Sequence, residues 1–297
     1  MILLLCLLVT EVIGHSDEGN WGYASSDGPS TWDGVCKTGK RQSPIDIVDS
    51  AVDCAELMSP LKFVNYQRAV DATLANNGRS GNRTSVVTLE LATLTIAPPR
   101  YIFNHVHIHW SQSDAEGSEH TFNGKKHPAE LHFVHLKEGL SFEQALATPD
   151  GITVVAVFAT IGYNQMPMKA VADAMGKVIH SGDTTILESF RPSLMLPMTT
   201  VSTFYAYDGS LTTPGCNEVV QWFLMPDPIS ITREQFVQLR KLQTLEGPEH
   251  EANFRPVQPL NGRRIQYRAS MFVKPWKCDG NGFRSAFPSF LQNLLKF

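Results

Sequence analysis

Histidine occupies every second position of the segment Asn104–Trp110, which reads NHVHIHW. The β-branched and aromatic residues of this segment and its flanks favour a strand. Side chains two residues apart on a strand point to the same face, which would put His105, His107 and His109 side by side. The spacing therefore predicts a row of imidazole rings that could converge on one metal ion.

A second histidine-bearing run, Glu130–His135, has the same strand-like composition. Its alternation places Glu130, His132 and Val134 on one face and His135 on the opposite face. If the two strands are neighbours, three or four imidazole rings meet at one point.

Three neutral imidazoles hold zinc in a tetrahedral arrangement and leave its fourth position for water, which is typical of catalytic rather than structural zinc. Zinc lowers the pKa of such a water, so that hydroxide becomes available near neutral pH. The Glu130 carboxylate could accept the second ring N–H of a ligand such as His132 and fix its tautomer. The residues alone leave one alternative open, in which the histidines only decorate a solvated strand face.

Short strands are the elements expected to carry these residues. Many runs of β-branched and aromatic residues, separated by turn formers such as those of residues 226–228, predict a sheet-dominated single domain. The clearest runs are Val86–Leu89, Tyr101–Trp110, Leu131–Leu136, Thr153–Ile161 and Val219–Met225.

Helical periodicity is confined to three short segments, Ser141–Ala147, Met168–Val178 and Thr232–Leu242. In the last of them, Thr232 and Gln235 have the spacing of a capping box.

The overall composition excludes some classes of partner. The chain has 297 residues, of which 42% are hydrophobic and 18% charged, as in an ordinary globular protein. The formal net charge is only −4, and Lys and Arg do not form a basic stripe. Nucleic acid is therefore not an expected partner.

The first residues, MILLLCLLVTEVIG, form an apolar stretch too short to span a bilayer. We interpret residues 1–16 as a cleaved signal peptide, which predicts a secreted, extracellular protein; a buried apolar segment is the alternative. Removal of Cys6 would leave four cysteines, an even number that suits an oxidising compartment and allows three pairings. They are Cys36, Cys54, Cys216 and Cys278.

Two further surface features concern secretion. Asn82 begins an N-glycosylation sequon, which predicts a possible glycoprotein. The tail, residues 277–297, contains apolar residues interrupted by polar and charged ones, so we expect a short amphipathic or disordered end and no GPI anchor.

Several motifs in a fixed order carry a resemblance to a known family. They read NWGY from Asn20, QSPI from Gln42, HIHW from His107, GSEHT from Gly117, AELHFVH from Ala129, YDGSLTTP from Tyr207 and NFRP from Asn253. In these residues the chain resembles the α-class carbonic anhydrases from about Asn20 to about Lys274. The resemblance implies one catalytic domain, residues 20–276, mainly β with short helices (α+β), around a large, mostly antiparallel, twisted central sheet.

The resemblance also implies a reaction, the reversible hydration of carbon dioxide to bicarbonate and a proton by zinc-bound hydroxide. Carbonic anhydrase is itself the standard example of zinc lowering the pKa of a bound water. Carbon dioxide, bicarbonate and water would be the small-molecule partners. The zinc ligands would be His107, His109 and His132.

The family pattern assigns roles to residues around the metal. Thr212 would accept a hydrogen bond from the hydroxide and donate its own proton to Glu119, because a hydroxyl can do both. Thr213 would contact bicarbonate or ordered water, and Tyr23 and Asn77 would belong to the catalytic group.

Other assignments concern the surroundings of the site. An apolar wall for carbon dioxide would be formed by Val134, Val154, Leu211, Val220 and Trp222. Hydrogen-bond partners behind the zinc ligands would be Glu130, His105 and Asn253. The resemblance pairs Cys36 with Cys216, whereas Cys54 and Cys278 have no such precedent and could pair with each other or with another chain.

Two positions depart from the family pattern. A proton-shuttle histidine follows Asn-Asn-Gly in the fastest relatives, but here Arg79 follows Asn76–Gly78, and arginine cannot release a proton at physiological pH. We therefore expect activity limited by proton transfer. His105 stands where relatives commonly carry Gln; we expect a hydrogen bond to a zinc ligand there, with competition for the metal as the alternative.

Two other functions are compatible with such a scaffold. Related domains that act only as binding modules typically lack one or more zinc histidines, whereas all three are present here. A matrix or mineralisation protein that also hydrates carbon dioxide would be expected to carry acidic or Gly/Asn-rich insertions, and none is visible. The sequence therefore favours an enzyme without such an additional role.

Overall fold

The computed structural model of this chain describes most of the predicted domain. The described residues are 21–54, 58–76, 87–90, 95–97, 100–197, 203–243 and 252–268, and the side chains of 87–90 and 95–97 are not described. The predicted signal peptide and tail lie outside these ranges, as do Asn77, Arg79, Asn82 and Cys278.

Strands dominate the described residues. They are β1 (Asp46–Ile47), β2 (Asp53–Cys54), β3 (Lys62–Val64), β4 (Val70–Asn76), β5 (Val87–Glu90), β6 (Thr95–Ala97), β7 (Tyr101–Trp110), β8 (Thr121–Phe122), β9 (Ala129–Lys137), β10 (Ile152–Ile161), β11 (Thr184–Phe190), β12 (Phe204–Gly209), β13 (Val220–Ile231) and β14 (Gln266–Arg268).

Helices are few and short, as predicted. The α-helices are α1 (Val35–Thr38), α2 (Phe142–Leu146), α3 (Lys169–Ala174) and α4 (Arg233–Leu239), and single 3-10 turns cover Asp49–Ala51, Met166–Met168, Met175–Lys177 and Pro192–Met195. The predicted capping box before α4 is confirmed: the Thr232 side chain accepts from the Gln235 backbone N–H, and the Gln235 side chain accepts from the Thr232 backbone N–H.

One large sheet contains twelve of the described strands. Its main path runs β11-β4-β5-β7-β9-β10-β13-β12-β14-β2, with β3 and β6 attached beside β7. The sheet is mixed, which refines the expectation of a mostly antiparallel one. Most neighbours are antiparallel, but β10 pairs with β13, and β14 with β2, in parallel. The strands that carry the candidate metal ligands, β7 and β9, lie in the interior of this sheet.

The turn predicted at residues 226–228 is wrong, because β13 continues through Pro226 and Pro228 to Ile231. The ladder to β10 shifts register here: Val157 pairs with Met225, but Ala159 pairs with Ile229. This bulge takes the two prolines, which have no N–H to donate, out of the regular ladder.

Alternate residues of the central strands pack into two different cores. Leu131 and Phe133 belong to the larger apolar cluster on one face of the sheet. Val134, Val154 and Trp222 belong to a second cluster on the other face. Strand β9 is therefore buried on both faces, which places His132 and His135 in separate interiors. Among the described residues no helix is long and apolar enough to cross a membrane.

His135 lies on the face opposite the candidate site. Its Nε2 contacts the hydroxyl of Tyr66, and both side chains are fully buried. Burial lowers the pKa of His135 from its ordinary value of 6.5 to about 3. The unfolded chain therefore binds a proton at this residue between those two pH values, whereas the folded chain does not.

We expect His135 to make the fold sensitive to acid. Since the unfolded state takes up the proton, the free energy of unfolding should fall by about 2–3 kcal/mol from this residue as pH drops from about 7 to about 4.5. Urea unfolding at both pH values should show a smaller acid loss for His135→Gln than for the unsubstituted protein. The exposed His180→Gln is the matched control, and an equal acid loss in all three proteins would contradict the prediction.

Candidate active site

The register of β7 with β9 brings the predicted ligands together. His107 lies directly opposite His132, and His109 lies opposite Glu130. Side chains at opposite positions of an antiparallel pair are close neighbours on one face. One ligand atom from each of His107, His109 and His132 lies within 4.8 Å of the other two. The three predicted metal ligands therefore form one cluster.

The hydrogen bonds behind two of these rings fix their tautomers. His109 Nδ1 lies 2.7 Å from the Asn253 carbonyl oxygen, and His132 Nε2 lies 2.7 Å from Glu130 Oε1. A carbonyl and a carboxylate only accept, so each ring carries its proton on that nitrogen. The other nitrogen of each neutral ring then presents a lone pair to the cluster.

These two lone pairs face each other. His109 Nε2 and His132 Nδ1 are 3.1 Å apart. When both rings are neutral, neither of these nitrogens carries a proton, and no hydrogen bond joins them. Burial lowers the pKa of His109, although Glu119 opposes the effect, and burial also lowers that of His107. The His107 and His109 rings therefore stay neutral, and a cation between the rings would stabilise the arrangement.

Zinc fits this arrangement. A tetrahedral site with Zn–N bonds of about 2.0–2.1 Å separates its ligand nitrogens by about 3.3 Å, close to the 3.1 Å observed between His109 and His132. His107 uses Nδ1 in a 3.0 Å contact with His105 Nε2, which leaves its Nε2 for the metal. Three neutral imidazoles suit zinc and leave a further position open.

Glu130 holds the loop after residue 117 against the ligands. Its Oε2 accepts from the backbone N–H groups of Glu119 and His120 at 2.9 and 2.8 Å. Its Oε1 accepts from His120 Nδ1 at 2.6 Å and from His132. Burial disfavours the charge of Glu130, but His120 and His132 outweigh burial and hold its pKa well below the ordinary value. Glu130 is therefore an ionised acceptor.

His120, Glu130 and His132 form a second cluster of metal-binding residue types. His120 Nε2, however, lies 2.7 Å from the Tyr207 hydroxyl, which donates to Ser43 Oγ at 2.8 Å. The polar atoms of this cluster thus already have hydrogen-bond partners, and a metal would have to displace the His120 and His132 N–H groups that donate to Glu130. We interpret it as the support of the first cluster.

Glu119 is fully buried and points one oxygen at the ligands. Its Oε1 accepts from the Arg255 backbone N–H at 2.7 Å. Its Oε2 has no hydrogen-bond partner among the described residues and lies 3.5 Å from His109 Nε2 and 3.9 Å from His132 Nδ1. The hydrogen bond from Thr212 to Glu119 that the resemblance implies is therefore not formed, although Thr212 is also buried. A buried carboxylate oxygen without a donor can still receive one.

The residues of the predicted apolar wall lie in one cluster next to the metal ligands. Val134, Val154, Val220 and Trp222 are buried there, and the half-buried Leu211 packs against them. The Trp222 ring is 4.8 Å from the His132 ring, centroid to centroid. One side of the candidate site is thus apolar.

The Cys36–Cys216 disulfide is present, with Cα atoms 5.0 Å apart. Cys216 also donates its backbone N–H to the carbonyl of the half-buried Thr213 at 3.0 Å, so the disulfide ties the loop after Thr212 to α1. Tyr23 packs edge-on against Trp32 beside this disulfide. Cys54 is disulfide-bonded as well.

Asn253 lies behind β7, as the resemblance implies. Its Oδ1 accepts from the Trp110 backbone N–H at 2.6 Å, and its Nδ2 donates to the Ile108 carbonyl at 3.1 Å. The Asn253 side chain is therefore hydrogen-bonded to the backbone on both sides of His109, while the Asn253 backbone carbonyl accepts from the His109 ring.

Three further buried residues complete the site, and the sequence indicated no role for them. His120 and Tyr207 link Glu130 to Ser43, and the buried Arg255 contacts Glu119 through its backbone. All three occur inside motifs that carry the resemblance, and this position in the motifs could have indicated that they belong to the site. Their contacts join distant parts of the chain, so spacing alone could not reveal them.

Comparison with known proteins agrees with this geometry. The profile of the family described as eukaryotic-type carbonic anhydrase matches residues 27–269. The chain is 39% identical over 283 residues to "Putative carbonic anhydrase 5" of Caenorhabditis elegans, covering 93% of this chain and 91% of that protein. It is 35% identical over 256 residues to "Carbonic anhydrase 7" of Homo sapiens, covering 83% of this chain and 96% of that protein.

Replacing Glu130 with Gln should weaken metal binding. Glutamine replaces one of the two carboxylate oxygens with an NH₂ group. Because both oxygens accept from N–H groups, the NH₂ group faces N–H donors in either orientation. We expect zinc affinity to fall by about 10–100-fold and the protein to lose about 1–3 kcal/mol of stability. Competition with a chromogenic chelator measures the affinity. Glu138→Gln, at an exposed carboxylate paired with Arg100, is the control, and unchanged affinity in Glu130→Gln would contradict this role.

Proposed function

This chain belongs to the eukaryotic-type carbonic anhydrase family, and from that premise we propose that its hydration of carbon dioxide depends on zinc held by His107, His109 and His132. One observation carries the proposal: His109 Nε2 and His132 Nδ1, the nitrogens that the acceptors behind two neutral rings leave without a proton, face each other at 3.1 Å in a buried site. Such an arrangement is repulsive unless a cation lies between the rings. The same three residues are the ligands that the sequence predicts.

When bound, zinc would supply hydroxide near neutral pH by lowering the pKa of a water ligand, an effect for which this enzyme family is the standard example. The protein's own contribution is orientation. The acceptors behind His109 and His132 keep both rings in the binding tautomer. Ionised Glu130 and the loop it holds keep Glu119 next to the ligands.

Thr212 and Glu119 are proposed to orient the nucleophile. The unpartnered Oε2 of Glu119 can accept the hydroxyl proton of Thr212, which commits the Thr212 oxygen to accepting from the attacking group. Thr213, on the same loop, is proposed to contact bicarbonate. The apolar cluster of Val134, Trp222 and their neighbours would hold carbon dioxide without competing for the metal.

Proton export is the proposed slow step. Arg79 occupies the position where the family's fastest members carry a shuttle histidine, and its guanidinium cannot exchange protons near neutral pH. Asn77 and Tyr23 are proposed to help order the water through which the proton leaves. Small diffusible buffers would then take over part of the transfer.

Secretion is also part of the proposal. The Cys36–Cys216 disulfide supports it, because such bonds persist in oxidising compartments and are rare in the cytosol.

The central test is stopped-flow hydration of carbon dioxide by protein collected from the medium of secreting eukaryotic cells, with zinc measured on the same sample. We expect about one zinc per chain and activity that disappears on chelation and in His107→Ala. His180→Ala, at an exposed histidine, should remain active. Zinc-loaded but inactive protein would favour a binding module, and protein retained inside the cells would contradict secretion.

Replacing Arg79 with His should raise turnover in poorly permeating buffer by about 10-fold or more, because an imidazole can accept and release protons near pH 7. Added imidazole should raise the rate of the unsubstituted protein more than that of the variant. Arg264→His, at an exposed arginine paired with Asp53, should leave turnover unchanged. If Arg79→His has the same turnover as the unsubstituted protein, proton transfer at this position does not limit the reaction.

A further inference from the structure

Strand β7 contains a bulge just before the metal ligands. In its ladder to β9, Phe103 pairs with His135, and His105 pairs with Val134. Asn104 is therefore the extra residue between these two pairs. Neighbouring residues of a regular strand point to opposite faces, but a bulge can re-aim the side chain of the extra residue. This places the Asn104 side chain against that of His105.

A chain of side-chain contacts follows from the bulge. Asn104 Oδ1 lies 2.7 Å from His105 Nδ1, and His105 Nε2 lies 3.0 Å from His107 Nδ1. The His105 and His107 rings are nearly parallel, with centroids 5.1 Å apart. Asn104, His105 and His107 are thus linked in line toward the candidate metal.

The two ends of this row of contacts determine which atom donates and which accepts at each step. If His107 binds zinc through Nε2 as a neutral ring, its Nδ1 carries the proton and donates. His105 Nε2 must then accept, so the proton of neutral His105 is on Nδ1. That Nδ1–H needs an acceptor, which Asn104 Oδ1 provides. In the other tautomer, two N–H groups of His105 and His107 would face each other at 3.0 Å.

We propose that Asn104 is a positioning residue of the metal site, which selects the His105 tautomer that accepts from His107. This inference rests on the zinc site proposed above. His109 and His132 do not need such a residue, because a carbonyl and a carboxylate can only accept. His105 can donate or accept through Nε2, so another group has to fix which of its two nitrogens carries the proton.

Zinc affinity in a double-mutant cycle tests the proposal. Asn104→Leu keeps the approximate size of the side chain but removes the acceptor, and it should weaken zinc binding a few-fold, less than the roughly 10–100-fold loss typical of direct partners. Asn104→Asp should restore the affinity because a carboxylate accepts. In a His105→Glu background, whatever its own affinity, Asn104→Leu should have no further effect on zinc binding, since a carboxylate can only accept and leaves nothing to select.

The tautomer itself gives an independent readout. In ¹⁵N-labelled, zinc-loaded protein, we expect the His105 proton on Nδ1, and Asn104→Leu should move part of the population to Nε2. An equal loss of affinity in both backgrounds, or an unchanged tautomer, would show that Asn104 only packs against its neighbours.

The inference and the proposed zinc site can fail separately. Zinc binding that survives His107→Ala unchanged would remove the site on which the inference rests. Zinc binding that depends on His107 but does not respond to Asn104→Leu would overturn the inference and leave the site intact.

Discussion

The pairing of β7 with β9 is the constraint on which the rest of the site depends. It places His107 opposite His132 and His109 opposite Glu130. A slip of one residue would turn every ligand to the opposite face, where the large apolar core lies. The register is held because β9 is buried on both faces and because Asn253 binds the backbone of β7 on either side of His109. Metal-site geometry is thus a consequence of sheet register.

The polar groups behind the ligands are costly to bury, and their contacts explain how they are tolerated. Glu130 has no exposed surface, and its two oxygens receive four N–H groups. The Arg255 guanidinium donates to the carbonyls of Ser43 and Cys36 and to Gln42 Oε1. Buried charges are stabilised when such partners satisfy them. Among the described residues, Glu119 Oε2 and Arg255 Nε are buried without a hydrogen-bond partner, and Glu119 Oε2 faces the proposed metal ligands.

The sequence was sufficient for features that are local or periodic. Alternation at His105–His109 predicted the shared face, and the Thr232–Gln235 spacing predicted a helix cap that the structure confirms. The family resemblance supplied the fold and the Cys36–Cys216 pair. The turn predicted at Pro226 was wrong because a bulge in a long strand can accommodate prolines, although prolines usually end a strand.

Contacts between distant segments could not be predicted from the sequence. His120 reaches Tyr207 across 87 positions, and no periodicity relates the two. The bulge at Asn104 is another such feature, because extra residues are defined by the partner strand and not by their own.

The three proposed zinc ligands do not have the same kind of hydrogen-bond partner. His109 and His132 are backed by groups that can only accept, so their tautomers do not depend on further neighbours. His107 is backed by an imidazole that can act in either sense. Burial lowers the pKa of His105 to about 4, so this ring stays neutral and keeps an accepting nitrogen available. If Asn104 selects the His105 tautomer as proposed, a substitution at Asn104 would disturb the hydrogen bond behind His107, while the acceptors behind His109 and His132 stay in place.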